Sequence, residues 1–135
     1  MKPTLAAGLA ATRRIVVDRD RTIGFMGEAA RVYATPMLVR DVEMTCRELL
    51  LEHLDPGEDS VGMRIELDHL APTLVGMTAE IAVRVVEVKG RVVVFDVEAN
   101  DGLDQIARGR HQRFVVEVKK TEERLAAKAK KAGLA

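Results

Sequence analysis

Tryptophan is absent, aromatic residues make up only 3% of the 135 positions, and there is one cysteine and one serine. Each scarcity removes a class of function. Without aromatic platforms, successive bases of a single-stranded nucleic acid have nothing to stack on. A lone Cys46 cannot close an intramolecular disulfide, which makes a reducing, cytoplasmic setting the default. Ser60 follows Asp59 and precedes Val61, so no Gly-x-Ser-x-Gly elbow exists and serine hydrolase chemistry is excluded. His53, His69 and His111 are far apart and lack cysteine partners at ligand spacing, so no metal is expected. Gly24 and Gly27 do not make a phosphate loop. Lysine plus arginine and aspartate plus glutamate number 21 each, and a net charge of zero offers no general attraction to nucleic acid or an anionic membrane. No run approaches the roughly 18 apolar residues of a membrane span.

What is present is 47% hydrophobic content, enough for one domain with an aliphatic core. Residues 1–11 read as an N-terminal arm and residues 12–118 as the domain. Residues 119–135, rich in Ala, Lys and Glu, read as a solvated helix or tail. The domain is organised around residues 32–50, whose spacing predicts one long helix. Thr35 is placed to cap its first turn and Pro36 fits the first helical position, where no amide donor is required. Leu38, Val42, Thr45, Cys46, Leu49 and Leu50 form one apolar stripe that demands cover. Glu43 falls at the edge of that stripe, where its carboxylate is expected to be half desolvated.

Residues 12–18 have the β-branched content of a first strand, and residues 23–31 read as a loop with a helical turn. After the turn signal of Asp55-Pro56-Gly57 the pattern becomes strands. From Val61 the alternation places Val61, Met63, Ile65, Leu67 and His69 on one face and Gly62, Arg64, Glu66 and Asp68 on the other. Residues 77–89 and 91–100 are joined through Lys89-Gly90, and a last strand runs from Gln105 to Val118 after Asn100-Asp101-Gly102. Short connections predict an antiparallel meander. One long helix with one apolar stripe needs a curved sheet wrapped around it, so the fold class is α+β with a hot dog layout of about five strands.

Three polar groups are expected to point inward: Thr35 at the helix start, Glu43 on the helix and His69 on the first strand after it. Singly, each reads as a cap, a boundary residue and a hydrogen-bonded core imidazole. Together they supply positive potential at a helix N-terminus, a partly desolvated carboxylate and a proton-transferring histidine, the parts of a hydrolytic site for an activated acyl group.

Residues 32–39 with Glu43, then Ser60-Val61-Gly62, Leu67-Asp68-His69, Ala71-Pro72-Thr73, Val75-Gly76-Met77 and Gly109-Arg110-His111-Gln112-Arg113-Phe114-Val115, resemble the fluoroacetyl-CoA thioesterase-like group of hot dog proteins. The resemblance implies an acyl-CoA thioesterase with Thr35, Glu43 and His69 as the catalytic set. Gly62, Tyr33 and Phe25 would lie against the substrate. It implies no cofactor, CoA being part of the substrate. It also implies a homodimer joined at a sheet edge, with each site between subunits; on charge and composition, no nucleic acid or membrane partner is expected. Glu43 would act as general base or attack directly through an anhydride; both routes stay open. Residues 24–31 hold Phe25 as their only aromatic, so a fluorinated acyl group is not carried over. His111 is expected to be a surface or subunit-contact histidine. A non-catalytic acyl-CoA binding module is the alternative from another class, and a dehydratase, which would carry a histidine motif at the helix start, ranks last.

Overall fold

In a computed structural model describing residues 1–134, the long helix α1 spans Thr35–Leu51. Its stripe of Leu38, Val42, Thr45, Cys46, Leu49 and Leu50 is buried as expected, with Asp41 added to it. Burying each such aliphatic side chain stabilises the fold by about 1.5–3 kcal/mol, and Leu38→Ala would cost about 2–5 kcal/mol. Pro56 and Gly57, the latter at φ 87°, turn the chain after the helix.

Five strands wrap α1: β1 (Ala10–Val16), β2 (Glu58–His69), β3 (Thr78–Lys89), β4 (Val92–Asn100) and β5 (Gln105–Glu117). Ala79, Ile81, Val83 and Val85 of β3 face the helix together with Val93, Phe95 and Val97 of β4, giving the aliphatic core that the composition requires. This is the hot dog fold. All pairings are antiparallel, in the order β1-β3-β4-β5-β2. The meander expectation therefore holds for β3, β4 and β5 but not for β2. Strand β3 already has β1 and β4 as neighbours, so β2 pairs along its whole length with β5 and becomes the outer strand. Gly109 permits that close pairing, since any Cβ there would collide with the Glu66 carbonyl.

The register of β2 shifts between Gly62 and Arg64. One extra residue, Met63, reverses the facing of everything before it. Ser60 and Gly62 pair with Val115 and Arg113 on the helix side, while Ile65 and His69, opposite His111 and Ala107, also face the helix. The simple alternation is right for Ile65, Leu67 and His69 and wrong for Val61 and Gly62.

Residues 1–9 lie over the core through Met1, Leu5 and Leu9. Helix α2 (Val118–Lys131) has no buried residue. None of the described helices is long and apolar enough to cross a membrane.

Candidate active site

The helix start does not use Thr35 as its cap. Ala34 holds the capping position without a side-chain hydrogen bond, and Thr35 is the first helical residue. Its hydroxyl is spent elsewhere: Thr35 Oγ1 lies 2.7 Å from His69 Nδ1, which β2 delivers from the end of the strand. Pro36 has no N–H and Met37 N donates to Ala34 O, so the helix start presents the Thr35 amide rather than a ring of free donors. Burial is the main cause lowering the His69 pKa, opposed by the nearby Ala71 backbone, so the imidazole is neutral near pH 7. Its Nε2 is buried and has no hydrogen-bond partner among the described residues. Thr35 and His69 border an open cavity of about 470 Å³ whose other walls include Ile23, Phe25, Val32, Pro36 and Leu70.

Glu43 sits further along α1 beneath the β2 bulge. Its side chain is 33% exposed, and Oε1 is 4.0 Å from His111 Nε2. A Cβ added to Gly62 would stand 2.5 Å from that same oxygen. Only glycine lets the strand approach the carboxylate so closely. Sequence reasoning placed His111 at the surface or a subunit contact; it is fully buried, 0% exposed. Behind it, Arg113 is also buried at 3% exposure, and neither residue was expected as part of the site. The signal was available, because Ala107, Gly109, His111, Arg113 and Val115 alternate along one face of β5 whose ends are apolar.

Tyr33 and Phe25 both line this cavity but differ in exposure. Tyr33 is buried, and its hydroxyl donates to Asp41, itself 1% exposed. Burial, then Asp41, raises the Tyr33 pKa far above its ordinary value, so the phenol stays a neutral donor. Arg21 completes the group, donating from Nε to Asp41 Oδ2 at 3.0 Å and from Nη1 to Asp18 Oδ2 at 2.8 Å. This anchors the loop before the helix. Its tip bears Phe25, 83% exposed, at the mouth of the cavity.

The sequence profile of FlK, fluoroacetyl-CoA-specific thioesterase, matches residues 17–119. The chain belongs to this thioesterase family. The fluoroacetyl-CoA thioesterase of Streptantibioticus cattleyicolor is 32% identical over 127 residues, which is 89% of this chain and 91% of that protein. Among solved structures, a point variant of the fluoroacetyl-CoA-specific thioesterase FlK superposes with a TM-score of 0.87 at 30% identity, covering 94% of this chain and 99% of that one. A thioesterase superfamily member from Thermus thermophilus gives 0.88 at 28% identity, covering 98% and 99%. For this fluoroacetyl-CoA-specific thioesterase-family chain, the matched segment contains Thr35, Glu43, Gly62, His69, His111 and Arg113.

Proposed function

We propose that this chain hydrolyses an acyl-CoA thioester to the free acid and CoA at a site built by two copies together. Membership of the thioesterase family supports the reaction class. The observation that carries the siting is the Thr35–His69 pair: a neutral imidazole at a helix start, beside an apolar cavity, with a buried Nε2 that has no hydrogen-bond partner among the described residues.

Thr35 and Glu43 are separated by eight residues of one helix, about 12 Å along its axis. Gly62 and His69 are separated by seven residues of one strand, roughly 20 Å. One copy therefore holds two half-sites. Strand β2 is an outer strand of the sheet, and Val61, Met63 and Ile65 along it are all exposed; a long apolar edge strand calls for a partner. Antiparallel pairing of β2 with a second β2 requires opposite residues to share a face. Centring it on Ile65 puts Arg64 opposite the partner's Glu66, twice by symmetry, whereas centring it on Arg64 or Glu66 opposes like charges. The same register brings the partner's His69 toward Gly62 and Glu43. Two copies then make two complete sites.

In such a site the acyl group takes the apolar cavity. Glu43 accepts a proton from water as the water oxygen bonds to the acyl carbon. The Thr35 amide holds the thioester oxygen as it gains negative charge. Collapse breaks the carbon–sulfur bond, and the proton that Glu43 took from water passes through His69 to the sulfur, which returns Glu43 to its charged form and His69 to its neutral one. Water and thioester balance acid and thiol, so no cofactor enters. The buried, unpaired Cys46 fits a reducing, cytoplasmic setting.

A thiol-release screen over short, branched, aryl and long acyl-CoAs tests the function. Release of free CoA from at least one is expected. Calorimetric binding of the same acyl-CoAs with no release from any would replace the enzyme by a binding module.

A further inference from the structure

Arg113 is a buried cation with no carboxylate in direct contact among the described residues. Its Nε donates to Ser60 Oγ at 2.7 Å, its Nη2 to Ser60 O at 2.8 Å, and its Nη1 to His111 Nε2 at 3.2 Å. Arginine can only donate, so His111 Nε2 is the acceptor and the ring proton lies on Nδ1. That Nδ1–H is then the donor to Arg64 O at 2.8 Å. Ser60 precedes the β2 bulge and Arg64 follows it. The two side chains thus grip the strand on both sides of Met63 and are bonded to each other. His111 Cε1 also stands against Gly62, 3.3 Å from where a Cβ would be. Phe95 supports the imidazole from the core, with ring centroids 6.4 Å apart.

The bulge has a consequence for the chemistry. It allows Gly62 and His69, on either side of it in β2, to face the helix together. Without it, the parity of the strand sends one of them outward. A β-bulge is a weak point in a ladder, because its extra residue is unpaired. We infer that Arg113 and His111 are positioning residues that clamp the two sides of this bulge and so hold Gly62 against Glu43. The inference rests on the reading of Glu43 as a reacting group, which it deepens.

The test compares Arg113→Met, His111→Phe and His111→Gln. Glutamine can donate to Arg64 O and accept from Arg113 as the imidazole does; methionine and phenylalanine break the clamp. With the fastest acyl-CoA of the thiol-release screen, Arg113→Met and His111→Phe are expected to lower kcat about tenfold or more, with KM changed by less than about threefold. Amide exchange of residues 62–65 is expected to accelerate about tenfold or more in both, while α1 and β4 keep their protection. His111→Gln is expected to restore both readings to near wild type. If Arg113→Met does not fold, His111→Phe, which leaves the guanidinium its Ser60 partners, carries the same expectation. Unchanged exchange at residues 62–65 would overturn the clamp, and so would faster exchange with unchanged kcat. Glu43→Gln separates the two readings: it should abolish turnover with wild-type exchange in β2. Normal turnover in Glu43→Gln would end the reading of Glu43 while exchange in the other variants still decides whether the clamp exists.

Discussion

Gly62 and Glu43 are so close that a methyl group on the glycine would stand 2.5 Å from Glu43 Oε1. The colliding atom is the end of a flexible side chain, so the clash moves the carboxylate rather than unfolding the strand. Gly62→Ala is expected to lower kcat by about a hundredfold, the scale of a misplacement of about 1 Å at a reacting group. Thermal melts should change little. Wild-type kinetics in Gly62→Ala would mean that the position of this carboxylate is immaterial.

Glu43→Gln and His69→Ala are each expected to lower turnover at least about a hundredfold, the contribution of a positioned acid or base. Size-exclusion chromatography should show the oligomer unchanged. Full activity in both purified variants would remove these residues from the chemistry.

Tyr33→Phe is expected to act on stability rather than on substrate. The hydroxyl donates to buried Asp41, and losing a hydrogen bond to a charged group costs about 1.5–3 kcal/mol. Denaturant melts should show that loss with KM near wild type. A raised KM at unchanged stability would instead put the hydroxyl on the ligand.

Stability should fall on acidification below the ordinary histidine range. Burial is the first cause holding both His69 and His111 below the usual value of 6.5, with Arg113 lowering His111 further and the Arg64 carbonyl opposing. As pH drops through about 6.5 the unfolded imidazoles bind protons and the native ones resist, so the unfolded state gains. The stabilisation is present above about 6.5 and lost below it. Melting temperatures between about pH 7.5 and about pH 5.5 measure the slope, and His111→Gln should flatten it. Carboxylates held low by arginine or backbone partners, such as Asp59 and Asp101, add their loss only at more acid pH. An equal slope in wild type and His111→Gln would contradict the buried neutral imidazole.

Much of the fold was legible because it rests on periodicity. The stripe from Leu38 to Leu50 marks the central helix, and the alternation from Ala79 to Val85 marks an inward strand face. The position of β2 was not legible, because short connections favour sequential neighbours and say nothing of β1 occupying the edge of β3. The bulge at Met63 left no mark in an alternation that still looks regular across it. For the site, the inward phase of His69 was readable, as was the place of Glu43 at the stripe's edge. The use of Thr35 was not: a hydroxyl at a helix start suits a cap equally well, and its choice of His69 depends on where β2 ends. Asp41 stands three residues after Leu38 and four before Thr45, on the stripe itself, but its burial required Arg21 and Tyr33 to converge from a loop. The pairing of His111 with Arg113 follows from the strand period once β5 is known to lie over the helix.

The most direct measurement is a subunit-mixing assay. Glu43→Gln and His69→Ala proteins, each inactive alone, are unfolded together, refolded and assayed for CoA thiol release. If Glu43 works with the partner's His69, each mixed dimer contains one intact site, and random mixing should recover about a quarter of wild-type activity. No recovery from a verified mixed dimer would contradict a site shared between subunits.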